Sequence, residues 1–203
     1  MLPLSDINPT RRFPIATVVL IAINVLVFVI FELPLLGNER AFTNLLRDWA
    51  IVPSQLGFDL ESLLDVVRSM FMHGGWAHLL GNMLYLWIFG DNLEDRMGVL
   101  LYVGFYFACG FIAALAQVAV DPHSPIPMVG ASGAIAGVLG GYLVLFPTVR
   151  VRGLILLGYF VRMVELSAVW VLGMWFVLQV FNGLGSVGML IGGGVAFFAH
   201  IGG

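Results

Sequence analysis

Ser132, in the string Gly130-Ala131-Ser132-Gly133, and His200, near the end of the 203-residue sequence, are of the types that form a nucleophile and its base. A serine hydroxyl is a poor nucleophile until a base takes its proton, and an imidazole titrates in the right range. His78 and Asn82 stand four residues apart, so on a helix both project from one face. Together with the backbone amide of Ser132, their side-chain donors suit an oxyanion that develops during acyl transfer. Rival readings stand beside this one. A Gly-x-Ser-Gly string is weak by itself, because small residues in membrane helices usually mean close packing. A buried histidine can simply bond a carbonyl. His73, His78 and His200 would be the ligands of a metal site, but there is no His-Glu-x-x-His pattern, and no cysteine or acid stands nearby to complete one. The expectation is therefore neither metal nor cofactor.

The composition says what must hold these residues. Hydrophobic residues make up 60% of the chain and charged residues only 10%, with a mean hydropathy of +1.00, against about 25% charged in a soluble domain. One cysteine, a net charge of −3 and arginines that are scattered singly exclude a disulfide scaffold, a disordered chain and a nucleic-acid binder. What remains is an all-α polytopic membrane protein with a single domain over residues 1–203. Its spans are expected at about 13–31, 76–93, 99–120, 132–146, 166–181 and 194–203, with one long outer loop at 32–75. In that loop Leu60, Leu63, Leu64, Val67 and Phe71 recur at helical spacing, which predicts an amphipathic helix. With the N-terminus inside, six arginines lie on the cytoplasmic side and three outside, all three in the long loop. The expected setting is the plasma membrane of a bacterium, with the site opening to the outer face.

Polar groups at membrane depth are costly and so mark function by default. They are Asn24, His78, Asn82, Gln117, Ser132, Gln179 and His200, whereas His73 and His123 fall in loops, where a solvated ring is the expectation. Ser132 lies fifteen residues before Pro147, or roughly 22 Å along a helix, short of the far side of a ~30 Å core. A helix that starts inside the membrane requires residues 126–131 to line an enclosed, wet cavity. Gly133, Gly137 and Gly141 form a small-residue ladder on that helix, and Gly192, Ala196 and Ala199 or Gly203 form one on the last span. Two such faces approach closely, as a serine-imidazole contact between helices requires.

These residues resemble the rhomboid family of intramembrane serine proteases. The resemblance runs from Ser69-Met70-Phe71-Met72-His73 through His78 and Asn82, then Gly90-Asp91-Asn92-Leu93-Glu94-Asp95-Arg96, Gly130-Ala131-Ser132-Gly133 and Ala199-His200-Ile201-Gly202. It implies a six-transmembrane-helix bundle in which Ser132 and His200 form a catalytic dyad. His78, Asn82 and the Ser132 amide would then form the oxyanion hole, and Gly130, Gly133, Glu94 and Arg96 would be structural, the last two in a stabilising turn. It also implies transmembrane protein substrates, met in the lipid bilayer, and no nucleic acid. Two departures stand out. Leu64-Asp65 occupies the place of a Trp-Arg pair, and the span expected last holds ten residues, about half a crossing, so an incomplete helix is expected there. Two other readings remain open. One is an inactive relative that binds helices without cutting them. The other, a small transporter, predicts internal repeats, and spans one to three do not match four to six.

Overall fold

The computed structural model describes residues 1–57, 59–157, 160–186 and 197–203. Along the chain run β1 (Leu2–Asp6), α1 (Ile15–Val27), α2 (Glu39–Trp49), α3 (Leu60–Ser69), α4 (Trp76–Met97), α5 (Val99–Val120) and α6 (Ser132–Leu145). They are followed by β2 (Arg150–Leu157), β3 (Phe160–Ser167), α7 (Ala168–Ser186) and α8 (Phe197–Gly202). Three helical stretches, Ile15–Leu35, Val99–Val120 and Ala168–Gly185, are long and apolar enough to cross a membrane, and Ser132–Leu145 is a shorter apolar helix. α4 has 22 residues and carries its charges, Asp91, Glu94, Asp95 and Arg96, in its last two turns. Gly98 separates α4 from α5 at φ 80°, a left-handed backbone that glycine adopts without a side-chain clash.

The expectation of an all-α chain is corrected by a three-stranded antiparallel sheet in the order β1-β2-β3. Residues 150–167 were expected to be a connection running into a span at 166. They form a hairpin instead, with Arg150 opposite Ser167 and Leu157 opposite Phe160, and β1 covers one edge. The physical reason lies in the run after Pro147, which ends α6. This run is rich in β-branched and large apolar residues and lacks a helical period, so its backbone groups pair across strands. Tyr142 Oη and Asn92 Nδ2 donate to Asp6 Oδ2 at 2.5 and 3.0 Å, which ties β1 to α6 and α4. Burial pushes this carboxyl up to about 6.

The core lies where α4, α5 and α6 meet α1. Phe28, Phe89, Tyr102, Tyr106 and Tyr142 are fully buried there, and the Phe89 and Tyr142 rings meet edge to face at 4.9 Å. The amphipathic helix expected in the long loop is present as α3. α2 was not foreseen, although Asn38 caps it by accepting from Ala41 N at 3.1 Å. At the other end of α4, Glu94 accepts from Ala16 N, Thr17 N and Thr17 Oγ1 at 2.8–2.9 Å and so caps α1 from 77 or 78 residues away. Arg96 is exposed and makes no ion pair among the described residues. Gly192, Ala196 and the start of the last expected span lie outside the described residues.

Candidate active site

Ser132 is the first residue of α6, as the distance from Pro147 predicts. The segment before it, residues 126–131, is expected to line an enclosed, wet cavity. Three amides of this segment are taken: Ile126 N donates to Ser124 Oγ at 3.4 Å, Met128 N to Ile51 O at 2.7 Å and Gly130 N to Ser69 O at 2.9 Å, and through the last two the long loop packs over this strand-like approach. A cavity of about 30 Å³ remains, bordered by Ser132, Gly130, Met128, Ser69, Ile51 and Ala199. That is room for a water molecule beside the hydroxyl.

Gly130 is glycine for two reasons. Its φ of 123° is left-handed, and a Cβ there would lie 2.6 Å from His78 Nε2. The imidazole therefore rests against the backbone that leads into Ser132. Gly74 N donates to His78 Nδ1 at 3.4 Å, which leaves the ring proton on Nε2, the nitrogen facing Gly130. Asn82, one turn further along α4, is buried, and its Nδ2 has no partner among the described residues. A buried N–H without an acceptor is rare and costs about 1–3 kcal/mol.

His200 sits on α8, which packs on α5, α6 and α7. Its approach to α6 depends on small residues. A Cβ on Gly133 would lie 2.6 Å from Ala113 Cβ, and Ala199 O is 3.7 Å from the same point. The helices thus meet backbone to backbone, one residue away from Ser132 and from His200. Among the described residues no hydrogen bond joins Ser132 to His200. The His200 Nδ1 instead lies 2.8 Å from Gln179 Oε1, and Gln117 Oε1 accepts from Phe198 N and Ala199 N at 3.1 and 3.3 Å. Asn24 is buried in α1, with Nδ2 donating to Leu20 O at 2.7 Å, away from these groups in its bonding.

His123 is exposed, as expected of a loop histidine, but His73 is not. It is fully buried, its ring 5.1 Å from that of His78, while its backbone N–H donates to Glu32 Oε1 at 2.5 Å. Glu32 reads in sequence as the polar end of the first span, and only its distant partner reveals it as a clamp on the loop that leads into α4. Burial, and secondarily His78, push the His73 imidazole down to about 3. In the unfolded chain the same ring titrates near 6.5. Between about pH 6.5 and 3 the unfolded state binds a proton that the folded state refuses, so this ring lowers stability as pH falls through that window and adds no slope above it. At pH 5 the effect amounts to about 2 kcal/mol. Thermal melts at pH 7 and pH 5 are expected to show a smaller acid-induced drop for His73→Phe than for the parent. An identical drop in both would contradict this assignment.

Comparison with known proteins places this architecture. The family model described as the Rhomboid domain matches residues 60–203, most of the chain. The chain is 30% identical over 137 residues to "Rhomboid protein 1, mitochondrial" of Saccharomyces cerevisiae, covering 65% of this chain and 37% of that protein. It is 32% identical over 134 residues to "Rhomboid protease GluP" of Bacillus subtilis, covering 66% and 25%. It is 33% identical over 78 residues to "RHOMBOID-like protein 5" of Arabidopsis thaliana, covering 38% and 25%. The matched stretches thus span well under half the length of these relatives. No solved structure matches significantly. The matched residues 60–203 include His78, Asn82, Ser132 and His200 and the apolar helices Val99–Val120 and Ala168–Gly185, and on this match the chain belongs to the rhomboid family of multi-pass integral membrane proteins.

Proposed function

We propose that the chain is an intramembrane serine endopeptidase that cleaves transmembrane segments of membrane proteins. The observation that carries this reading is the pair of unspent donors beside the Ser132 helix start. They are His78 Nε2, against Gly130, and the buried, unpartnered Asn82 Nδ2. Ser132 is the nucleophile and His200 the general base. The tetrahedral oxyanion is held by His78, Asn82 and the Ser132 amide, and water in the adjacent cavity resolves the acyl-enzyme. A substrate helix must unwind locally to reach Ser132, so Gly, Ala, Ser or Pro near the scissile bond favours cleavage. The chain acts as one transmembrane domain in which α1, α4, α5, α6 and α7 form five spans and α8 belongs to the sixth. The arginine distribution supports a cytoplasmic N-terminus and a site open to the opposite face, in the plasma membrane of a bacterium.

A second reading, a rhomboid relative that binds helices without cutting them, is favoured by the missing Ser132–His200 hydrogen bond. Catalytic hydrogen bonds often tighten only when substrate is bound. Covalent labelling by a fluorophosphonate in detergent separates the two. Labelling of the folded parent that disappears in Ser132→Ala supports the protease. A parent that folds but stays unlabelled supports the binder, and labelling that persists in Ser132→Ala removes Ser132 as nucleophile.

A further inference from the structure

We propose that Gln179 is the positioning residue that fixes the tautomer and orientation of His200, an inference that rests on the Ser132–His200 reading above. A dyad leaves open what holds the base. An imidazole with one ring nitrogen unconstrained can place its proton on either, and only the tautomer with Nε2 bare can accept from a serine that meets that nitrogen. In this chain Nδ1 is 2.8 Å from Gln179 Oε1. An amide oxygen only accepts, so this contact places the ring proton on Nδ1 and leaves Nε2 as the acceptor.

Two further contacts hold the ring. Trp175, four residues before Gln179 and therefore on the same face of α7, lies with its ring 5.8 Å from the imidazole at an angle of 35°. Gln117 of α5 grips the backbone amides of Phe198 and Ala199, directly before His200. The imidazole is thus held at one edge, over one face and at its backbone, by three side chains that carry no charge. An acid at the Gln179 place would orient the ring equally well, but at the cost of a buried charge in an apolar bundle. A neutral amide supplies the acceptor without it. Among the described residues, the titratable side chain that acts electrostatically on His200 is His78 of α4; α5 and α7 present the uncharged Gln117, Trp175 and Gln179.

The test uses full-length protein in detergent micelles, with nitrogen-15 in its histidines, and a fluorophosphonate as the probe of Ser132 reactivity. His200 is assigned by the signal lost in His200→Gln. At pH 8 the parent is expected to carry the His200 proton on Nδ1 with Nε2 bare. In Gln179→Met, Nε2–H signal should appear and kinact should fall about tenfold with KI unchanged, the scale of one hydrogen bond lost from a reacting group. Gln179→Glu, which restores an acceptor, should recover kinact to within about threefold. A His200 proton on Nε2 in the parent overturns the proposal whether or not any variant folds. So does an unchanged kinact in folded Gln179→Met, or a change confined to KI, which would assign Gln179 to probe entry along α7. If Ser132→Ala and His200→Ala lose labelling while Gln179→Met keeps it, only the role of Gln179 fails. If His200→Ala labels at the parental rate, the dyad itself fails, and Gln179 with it.

Discussion

Glu94→Ala takes the acceptor from three buried donors and is expected to lower the unfolding free energy by about 3–5 kcal/mol, enough to bring the midpoint of thermal unfolding in detergent down by roughly 10 °C. The reason lies in the start of α1. Pro14 occupies the N-cap position of that helix and has no side-chain oxygen with which to accept from the first-turn amides. Glu94 supplies both oxygens from α4: Oε1 takes Ala16 N, and Oε2 takes Thr17 N and Thr17 Oγ1. Glu94 is 3% exposed, so water cannot replace its carboxyl group when it is removed. A negative group is also favoured there by the helix dipole. Glu94→Gln keeps the shape but turns one acceptor into a donor that faces a donor, and should lose more than half of the same stability. Arg96→Ala, by contrast, removes an exposed side chain that has no ion pair among the described residues and should leave the midpoint within a degree or two. Equal loss in Glu94→Ala and Arg96→Ala would contradict this division of labour.

What the sequence discloses about the fold depends on how far apart the interacting residues lie. Spacing within one element is readable, so the start of α6 at Ser132, the shared face of His78 and Asn82, and the amphipathic α3 all follow from periods and counts. Chemistry that depends on another element is not. Nothing local marks Glu94 as the cap of α1, or Glu32 as the partner of His73 N, because those bonds join residues 77 and 41 positions apart. His73 reads as a solvated loop residue for the same reason, since its burial is made by the loop folding down onto α4. The hairpin at 150–167 was hidden by composition: in so apolar a chain, a short apolar stretch reads as helix or connection, and its alternation of Arg150, Val151 and Arg152 is brief. Gln117 and Gln179 were visible as polar residues at depth. Their partner, the backbone and ring of α8, is where the meaning of those two amides lies.

Asn82→Ala is expected to reduce the acylation rate of Ser132 by about 10²–10³-fold, the usual cost of losing one oxyanion donor. Its effect on stability should have the opposite sign. In the resting protein Asn82 Nδ2 is buried with no acceptor among the described residues, and such a group is a standing penalty of about 1–3 kcal/mol. Removing it relieves that penalty, so thermal unfolding of Asn82→Ala should occur at or above the parental midpoint while acylation collapses. His78→Ala should also slow acylation, but without a gain in stability, because the ring packs on Gly130 and His73 and accepts from Gly74 N. On the proposed oxyanion role both donors serve one oxygen, and the double variant should then lose less than the product of the two single losses. Rates from fluorophosphonate labelling, set beside melting curves of the same samples, separate this reading from a packing role. If Asn82 merely packs, its truncation opens a cavity and stability and acylation fall together. If it holds the oxyanion, they part, because a donor kept unpaired at rest is strain that only the transition state relieves.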